Sequence, residues 1–180
     1  ALCVVLQPAT LAAGASADAR FDALSKRFVE EFGRYSPVSA TQLGDHRFDG
    51  ELDDLSASGR ARTLAWTRGV LGELQVIDRS GLSRANQVDA AMLDNQLRYS
   101  IWSEEKYRDW SWDPLVYTQL AGQSLYGLLA REFAPLPERL RSVNREQLME
   151  MAGQAKQMEK TQAVAAVVAA CEQLAKGKAA

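Results

Sequence analysis

Apolar residues recur at intervals of three and four positions along most of the chain, and this spacing is typical of one face of an α-helix. The first such segment ends before Pro37 and carries Phe21, Leu24, Phe28 and Phe32. The second begins near Ser56 and carries Leu64, Leu71, Leu74 and Ile77. The third begins after Ser83, and its predicted inward positions are Val88, Met92 and Leu97. Since no segment alternates like a half-buried strand, the sequence predicts an all-α fold, an irregular bundle of long and short helices without a sheet.

A short helix is predicted between the first two segments. Ser36 is a residue type that caps helix N-termini, Pro37 suits the first helical position, and Gly44 suits the left-handed residue that follows a helix. This pattern predicts about two turns of helix. An acidic loop follows, and Ser56 is predicted to cap the next helix.

The periodic segments become shorter after about residue 106. Glycines and prolines interrupt the pattern and predict helices of about two to three turns; they are Pro114, Gly122, Gly127, Pro135 and Pro137. The last part of the chain lacks aromatic residues and is rich in Ala, Gln, Met and Lys. It keeps an apolar stripe at Leu148, Met151, Ala155 and Met158, which predicts a long helix from Arg145 to about Ala175.

Composition and charge exclude some classes of protein. The 180 residues are 47% hydrophobic and 24% charged, as in an ordinary globular domain. A net charge of -2 gives no basis for nucleic-acid binding, because neutralising phosphates requires clustered Lys and Arg. No apolar run reaches the roughly 18–20 residues that cross a bilayer. We therefore expect neither a nucleic-acid partner nor a membrane anchor.

The N-terminus is predicted to be the remnant of a signal peptide. An apolar run from Ala1 to Leu6 precedes the small residues Ala15-Ser16-Ala17, which fit a cleavage site before Asp18. The alternative is a buried N-terminal strand. Export predicts a periplasmic or secreted protein, whose mature chain would keep Cys171 as its single cysteine and form no internal disulfide. The predicted domain organisation is therefore a signal remnant (1–17), a helical region (18–143) and a helical tail (144–180).

Metal-ligating residues are few. His46 is the single histidine of the chain, whereas a catalytic zinc site needs about three protein ligands. Five carboxylates lie close to it, at Asp45, Asp49, Glu51, Asp53 and Asp54. Calcium is the alternative for such a cluster, but the spacing does not match an EF-hand loop. We expect local hydrogen bonds and helix caps instead, and we predict no metal or other cofactor in this chain.

A second candidate site is the run from Gly122 to Gly127, which comes near the nucleophile elbow of serine hydrolases. It places Tyr126 where the second glycine belongs, and the elbow requires a preceding strand that an all-α chain lacks. Ser124 is therefore predicted to cap a short helix.

Half of the aromatic residues lie between residues 99 and 126, and two interpretations are open. In the first interpretation, they form a ligand-binding wall, whose candidate residues are Trp102, Trp110, Trp112, Tyr117 and Tyr126. Alternatively, they fix the short helices to the long ones as part of the core. The core interpretation is favoured, and it predicts that Trp112→Ala destabilises the fold by about 3–5 kcal/mol.

Several segments together resemble a family of secreted bacterial proteins, the domain of unknown function 885 family. The longest is Ser36-Pro37-Val38-Ser39-Ala40-Thr41-Gln42-Leu43-Gly44-Asp45-His46-Arg47-Phe48 with Asp53-Asp54-Leu55-Ser56. The others are Asn86-Gln87-Val88-Asp89, Trp110-Ser111-Trp112-Asp113-Pro114-Leu115-Val116-Tyr117, Ser124-Leu125-Tyr126, and Arg131-Glu132-Phe133-Ala134-Pro135-Leu136 with Arg139-Leu140. The resemblance covers about residues 21–143, and the tail from residue 144 is expected to lie outside the family.

The resemblance implies that full-length relatives are zinc peptidases with a His-Glu-x-x-His motif far downstream. That motif is not in this sequence, so no catalytic, cofactor-binding or metal-ligating position is carried over to it. The implied role is a non-catalytic helical segment that shapes the cleft of such a peptidase. Its implied partners are the C-terminal catalytic region of the same protein and a peptide substrate. The competing hypothesis is a non-catalytic helical module that binds a partner in the periplasm.

Overall fold

A computed structural model describes residues 16–158 and shows seven α-helices and no strand in this range, which confirms the predicted all-α fold. The helices are α1 (Ala17–Phe32), α2 (Pro37–Leu43), α3 (Ala57–Gln75), α4 (Arg84–Trp102), α5 (Leu115–Ala130), α6 (Leu136–Arg141) and α7 (Arg145–Gln157). None of these helices is long and apolar enough to cross a membrane. The predicted apolar run of the signal peptide and the end of the tail fall outside the described residues.

The described residues divide into two compact units. Unit 1 comprises residues 16–32 and 56–106, and so contains α1, α3 and α4. Unit 2 comprises residues 33–55 and 107–158, and contains α2, α5, α6 and α7. Each unit is therefore built from two separate stretches of sequence.

The predicted helix boundaries around α2 and α3 are confirmed. Pro37 is the first residue of α2, and Gly44 follows the helix at φ 93°, where its N–H reaches the carbonyls of Ala40 and Thr41. The Ser56 hydroxyl accepts a 3.1 Å hydrogen bond from the Gly59 N–H at the start of α3. Ser36 behaves differently, because its side chain caps no backbone group and lies 3.0 Å from the Ser39 hydroxyl.

Unit 1 has a core of apolar side chains from its three long helices. Leu74 is fully buried at its centre, and the apolar stripes predicted for α1 and α3 both face inward. The buried residues of this core are Phe21, Leu24, Val70, Leu71, Leu74, Ile77, Leu82, Ala90 and Leu97. Phe28 stacks on Trp66 at 5.3 Å between ring centroids, and the Trp66 indole donates a 2.9 Å hydrogen bond to Glu31.

The inward face predicted for α4 is wrong at two of three positions. Leu97 is buried, but Val88 and Met92 are exposed. The core side of α4 is formed by Ala90 and Leu97, with Leu93 and Ile101 partly buried beside them. The reason is that α4 carries apolar residues on two faces, and helical periodicity alone does not decide which face meets α1 and α3.

Unit 2 has a smaller core formed by Val38, Leu52, Tyr117 and Met151. Its central helix, α5, contacts α2, α6 and α7. The sequence predicted interruptions at Gly122 and Gly127, but α5 continues through both glycines for 16 residues. Gly127 is buried against α2, where an added Cβ would lie 3.5 Å from Cγ2 of Thr41. A buried contact thus holds the helix together where glycine propensity alone would weaken it.

The first part of the tail belongs to unit 2. Helix α7 begins at Arg145 as predicted, and Met151 is buried, with Leu148, Ala155 and Met158 packed beside it. The Asn144 side chain accepts a 3.2 Å hydrogen bond from the Gln147 N–H and caps the helix. The helix ends at Gln157, and the rest of the predicted helix lies beyond the described residues.

Candidate functional site

The aromatic segment begins with an irregular turn. A π-helical turn, Ser103–Tyr107, follows α4, and Arg108 then adopts a left-handed conformation at φ 52°. Among residues 16–158, Arg108 is the one non-glycine residue with positive φ. Such turns and strained residues are frequent at functional sites, and sequence periodicity gave no signal for either.

Trp110 and Tyr117 belong to the structural part of this segment. Tyr117 is buried, and its hydroxyl donates a 2.9 Å hydrogen bond to the Trp110 carbonyl oxygen. The Arg108 guanidinium lies 4.9 Å from the centroid of the Trp110 ring, within the range of a cation–π contact. Tyr117 therefore connects the Trp110 backbone to the core of unit 2.

Trp112 is not a core residue. Its side chain is 48% exposed, its indole N–H donates a 3.0 Å hydrogen bond to the Tyr107 carbonyl, and its ring meets the Tyr107 ring edge to face at 5.4 Å. The turn Asp109–Ser111 lies between Tyr107 and Trp112, so the Trp112 ring is positioned by local contacts and not by burial. The core interpretation holds for Tyr117 and fails for Trp112.

The five candidate wall residues do not all lie in one unit. Trp102 lies on α4 of unit 1, half-exposed and 6.1 Å from the Tyr99 ring centroid. Tyr126 lies on α5 of unit 2 and is 71% exposed. Trp110, Trp112 and Tyr117 belong to unit 2. Neither unit therefore contains all five residues of the predicted wall.

His46 makes the local contacts that the sequence predicted. Its Nδ1 lies 3.1 Å from both carboxylate oxygens of Asp49, and the Thr41 hydroxyl donates a 2.7 Å hydrogen bond to the same carboxylate. The imidazole stacks on Phe133, with 3.6 Å between ring centroids. A carboxylate bound to one ring nitrogen orients an imidazole for use of the other. However, the Thr41 hydroxyl is bound to Asp49 and not to the imidazole, so the group is not a nucleophile–base pair.

The other loop carboxylates are directed to separate partners. Asp45 binds Arg47 at 2.7 Å, and this guanidinium lowers the pKa of Asp45 to about 2. Asp53 points instead to the N-terminus of α2, as described below. Within residues 16–158, no three His, Cys, Asp or Glu side chains are grouped so that they could hold a metal ion.

Asp53 is a carboxylate in a poorly solvated place. Burial raises the pKa of Asp53, and hydrogen bonds from the Ser36 hydroxyl and the Val38 N–H partly oppose this. One of its carboxylate oxygens has no hydrogen-bond partner in the described structure. Since Val38 is in the first turn of α2, Asp53 supplies the cap that the Ser36 side chain does not give to the backbone.

A buried arginine closes the other end of unit 2. Arg139 on α6 donates from Nη1 to the Leu128 and Leu129 carbonyls at 2.7 and 3.0 Å, and from Nε to the Ala134 carbonyl at 2.7 Å. Carbonyls in the last turn of a helix have no partner within the helix. Arg139 therefore caps α5 with a positive charge at the negative end of the helix dipole. Arg131 also donates to the Gln42 carbonyl at the end of α2.

Helix α5 has an unusual exposed face. It contains no charged residue, and Leu115, Tyr126 and Leu129 are exposed along one side. Gly122 lies between them, and a methyl group added to it would meet no described atom within 4 Å. Ser124 lies inside the helix and donates a 2.8 Å hydrogen bond to the Ala121 carbonyl, so the predicted cap is wrong.

Unit 1 contains a cavity of about 260 Å³ between α1 and α3. Leu24 and Ile77 form its apolar lining, and Arg20, Arg27 and Glu73 form its polar lining. Arg27 and Glu73 bind each other at 2.5 Å, and Arg20 points to the Val76 carbonyl at 3.5 Å. The polar side chains that line this cavity thus bind one another or a backbone carbonyl.

Comparison with known proteins identifies relatives of unknown function. Residues 37–179 match a family described as bacterial protein of unknown function (DUF885). The match includes residues 144–179, which the sequence analysis had placed outside the family. A solved structure of a putative lipoprotein of unknown function from Shewanella oneidensis matches with a TM-score of 0.69 and 30% sequence identity.

That match covers 76% of this chain and 25% of the other one, so this chain spans about a quarter of the length of the protein that it matches. None of the curated proteins matches this chain.

Proposed function

Because the chain belongs to the DUF885 family of bacterial proteins, we propose that it is a non-catalytic helical portion of a longer exported protein. In this proposal, the exposed face of α5 packs against the rest of that protein and helps to shape its substrate cleft. The activity of the whole protein is proposed to be peptide hydrolysis by a zinc-bound water, with a glutamate as general base.

The observation that carries this proposal is the composition of α5. A surface helix normally has charged residues on its outer face, whereas a helix without them is typically buried on all sides. Here 16 residues contain no charge, and Leu115, Tyr126 and Leu129 are nevertheless exposed. Exposed apolar faces of this kind mark contacts with another part of a protein or with a partner.

The length of the structural neighbour supports the same proposal. About three-quarters of that chain lies outside the matched region, which is ample material to cover one helix face. Gly122 adds a second reason, because glycine inside an exposed helix costs about 1 kcal/mol relative to alanine. Its position at the middle of the exposed face would allow another backbone to approach closely.

Export is part of the proposal. It is supported by the apolar N-terminal run and the small residues before Asp18, and by the neighbour, which is described as a lipoprotein. Mass spectrometry of the protein from the native gene should find it outside the cytoplasm, beginning at Asp18. A cytoplasmic protein that retains residues 1–17 would contradict the export proposal.

A binding module is the second candidate function. It is favoured by the Tyr107–Trp112 pair, because two rings held edge to face and half-exposed present a rigid apolar surface to a ligand. In this case the α5 face would remain accessible in the whole protein, and ligand would protect Trp112.

The experiment compares this chain with the full product of the native gene by hydroxyl-radical footprinting. Tyr126 and Leu129 should be labelled in the chain alone and at least tenfold less in the longer protein. Val29 on α1, equally apolar and 67% exposed, is the reference for a general change in reactivity. Equal labelling of Tyr126 in both proteins, or a native gene that encodes nothing beyond these residues, would contradict the proposal.

A further inference from the structure

Helix α4 carries a second apolar stripe that faces away from the core of unit 1. Its residues alternate by three and four positions, and we call them the α4 seam: Ala85, Val88, Met92, Asn95, Tyr99 and Trp102. All six are exposed, and the four large apolar side chains are between 42% and 67% exposed. Alternation of three and four over more than two heptads is the pattern of a helix-pairing seam.

The side chains of the α4 seam are small at the N-terminal end of the helix and large at its C-terminal end. Alanine and valine stand at its N-terminal end, methionine and asparagine in the middle, and tyrosine and tryptophan at its C-terminal end. We infer that the α4 seam pairs with the α4 seam of a second copy of this chain, the two helices running antiparallel about a two-fold axis.

Size complementarity is the reason for choosing a second copy as the occupant. In the antiparallel register, Ala85 faces Trp102 of the other copy, Val88 faces Tyr99, and Met92 faces Asn95, so each layer combines a smaller and a larger side chain. A parallel pair would place tryptophan on tryptophan and alanine on alanine, which leaves one end overpacked and the other empty. The helix therefore carries its own complement, as an isologous two-fold interface requires.

Asn95 is the amide side chain of the α4 seam. In the antiparallel register it faces Met92 of the other copy and lies next to the two-fold axis, so the Asn95 side chains of the two copies come close together.

The expected dimer is weak. Tyrosine and tryptophan bury roughly 150–250 Å² each when fully covered, and those in the α4 seam are already half-covered within their own chain. Six positions per copy should therefore bury about 1,000–1,200 Å² in total, at the lower limit of specific interfaces. A dissociation constant of about 1–100 μM is expected, and the inference does not depend on the α5 face or on the proposed peptidase.

Analytical ultracentrifugation of the purified chain from about 1 to 300 μM is the first test. A monomer–dimer equilibrium is expected, and Met92→Glu should raise its dissociation constant at least tenfold. Met149→Glu is the matched control, because Met149 is 75% exposed on α7, and it should change nothing. Tyr99→Glu serves as a second seam variant, and circular dichroism must show both to be folded.

The orientation is tested by a spin label on Arg84→Cys, with Cys3 and Cys171 replaced by serine. The antiparallel register separates the two labels by about 30 Å along the helices, whereas parallel helices would hold them about 10–15 Å apart. The long distance supports the inference. A monomer at every concentration, a dimer that Met92→Glu and Tyr99→Glu leave intact, or the short distance would each overturn it.

Discussion

Unit 1 and unit 2 contain the same kind of secondary structure but are held together in different ways. Unit 1 joins three helices of 16 to 19 residues through one apolar core. Unit 2 joins helices of 6 to 16 residues, and side chains from distant parts of the chain cap their ends. Asp53 caps the start of α2, and Arg139 caps the end of α5. Gln147 accepts the Leu52 N–H at 3.2 Å.

The difference shows where each unit is vulnerable. In unit 1, stability comes from the area of apolar surface that the helices bury, so the loss of a methyl group from the core should matter most. In unit 2, buried backbone groups depend on single polar side chains, and a buried carbonyl or N–H left without a partner is destabilising. Predictions for each unit therefore concern different kinds of residue.

The largest effect is expected for Leu74→Ala in unit 1. Leu74 is 0% exposed at the centre of the core, so truncation leaves a cavity and should lower the free energy of unfolding by about 3–5 kcal/mol. Urea denaturation followed by circular dichroism measures it. Val76→Ala is the control, because Val76 is two residues away and exposed, and its effect should stay within about 0.5 kcal/mol. Equal effects at both positions would contradict the core assignment.

Arg139→Met should have the next largest effect and should act on unit 2. The variant keeps most of the apolar stem but leaves the Leu128, Leu129 and Ala134 carbonyls without their donor. Hydrogen bonds to charged groups contribute about 1.5–3 kcal/mol, so a loss of about 2–3 kcal/mol is expected. Arg141→Met, at an exposed position of the same helix, is the control and should be nearly neutral. Hydrogen exchange should show faster opening of the end of α5.

These two residues also mark the limit of what the sequence predicts. Leu74 follows from helical spacing, as do the other core positions of α1 and α3. Arg139 does not, because nothing in the spacing of residues 128 to 139 says that a charged side chain turns back to cap the preceding helix. The sequence predicted helix caps in the acidic loop but not that Asp53 caps α2, since this bond joins positions 15 or more residues apart in a loop without periodicity.

On α4, periodicity predicted the helix but not its orientation. Ala90 and Leu97 face the core, whereas Val88 and Met92 face outward, because both faces carry the spacing of a buried stripe. At the candidate site, the sequence identified Tyr117 and Trp112 as neighbours in one segment. It could not foresee the π-helical turn and the left-handed Arg108 that precede these residues, or that Tyr117 is buried while Trp112 is half-exposed.

Trp112→Ala should now have a smaller effect than the sequence predicted. Since the ring is 48% exposed, its truncation should lower the free energy of unfolding by about 1–2 kcal/mol, roughly half the value for a fully buried aromatic. Chemical denaturation measures this. A loss above about 3 kcal/mol would restore the core interpretation, and a loss near zero would strengthen the ligand-wall interpretation.

The smallest effect concerns Asp53 and depends on pH. Its pKa is raised above 3.8 in the folded protein, chiefly by burial, so the folded state binds this proton more tightly than the unfolded chain does. The contribution of Asp53 to the free energy of unfolding should therefore rise as the pH falls through its folded pKa, and this gain should be complete below 3.8. Asp53→Asn keeps an oxygen for Ser36 and Val38 and should remove this dependence. An unchanged pH profile would contradict the assignment.

Metal content and peptidase activity test most directly whether this chain is, as proposed, a non-catalytic part of a longer protein. A zinc-activated water needs about three protein ligands, an open position and a general base, whereas no three His, Cys, Asp or Glu side chains of residues 16–158 are grouped so that they could hold a metal ion. Elemental analysis after dialysis, beside a peptidase assay with added zinc, should find no stoichiometric zinc and no turnover. One zinc per chain that is lost in His46→Ala, together with peptide cleavage, would contradict the proposal.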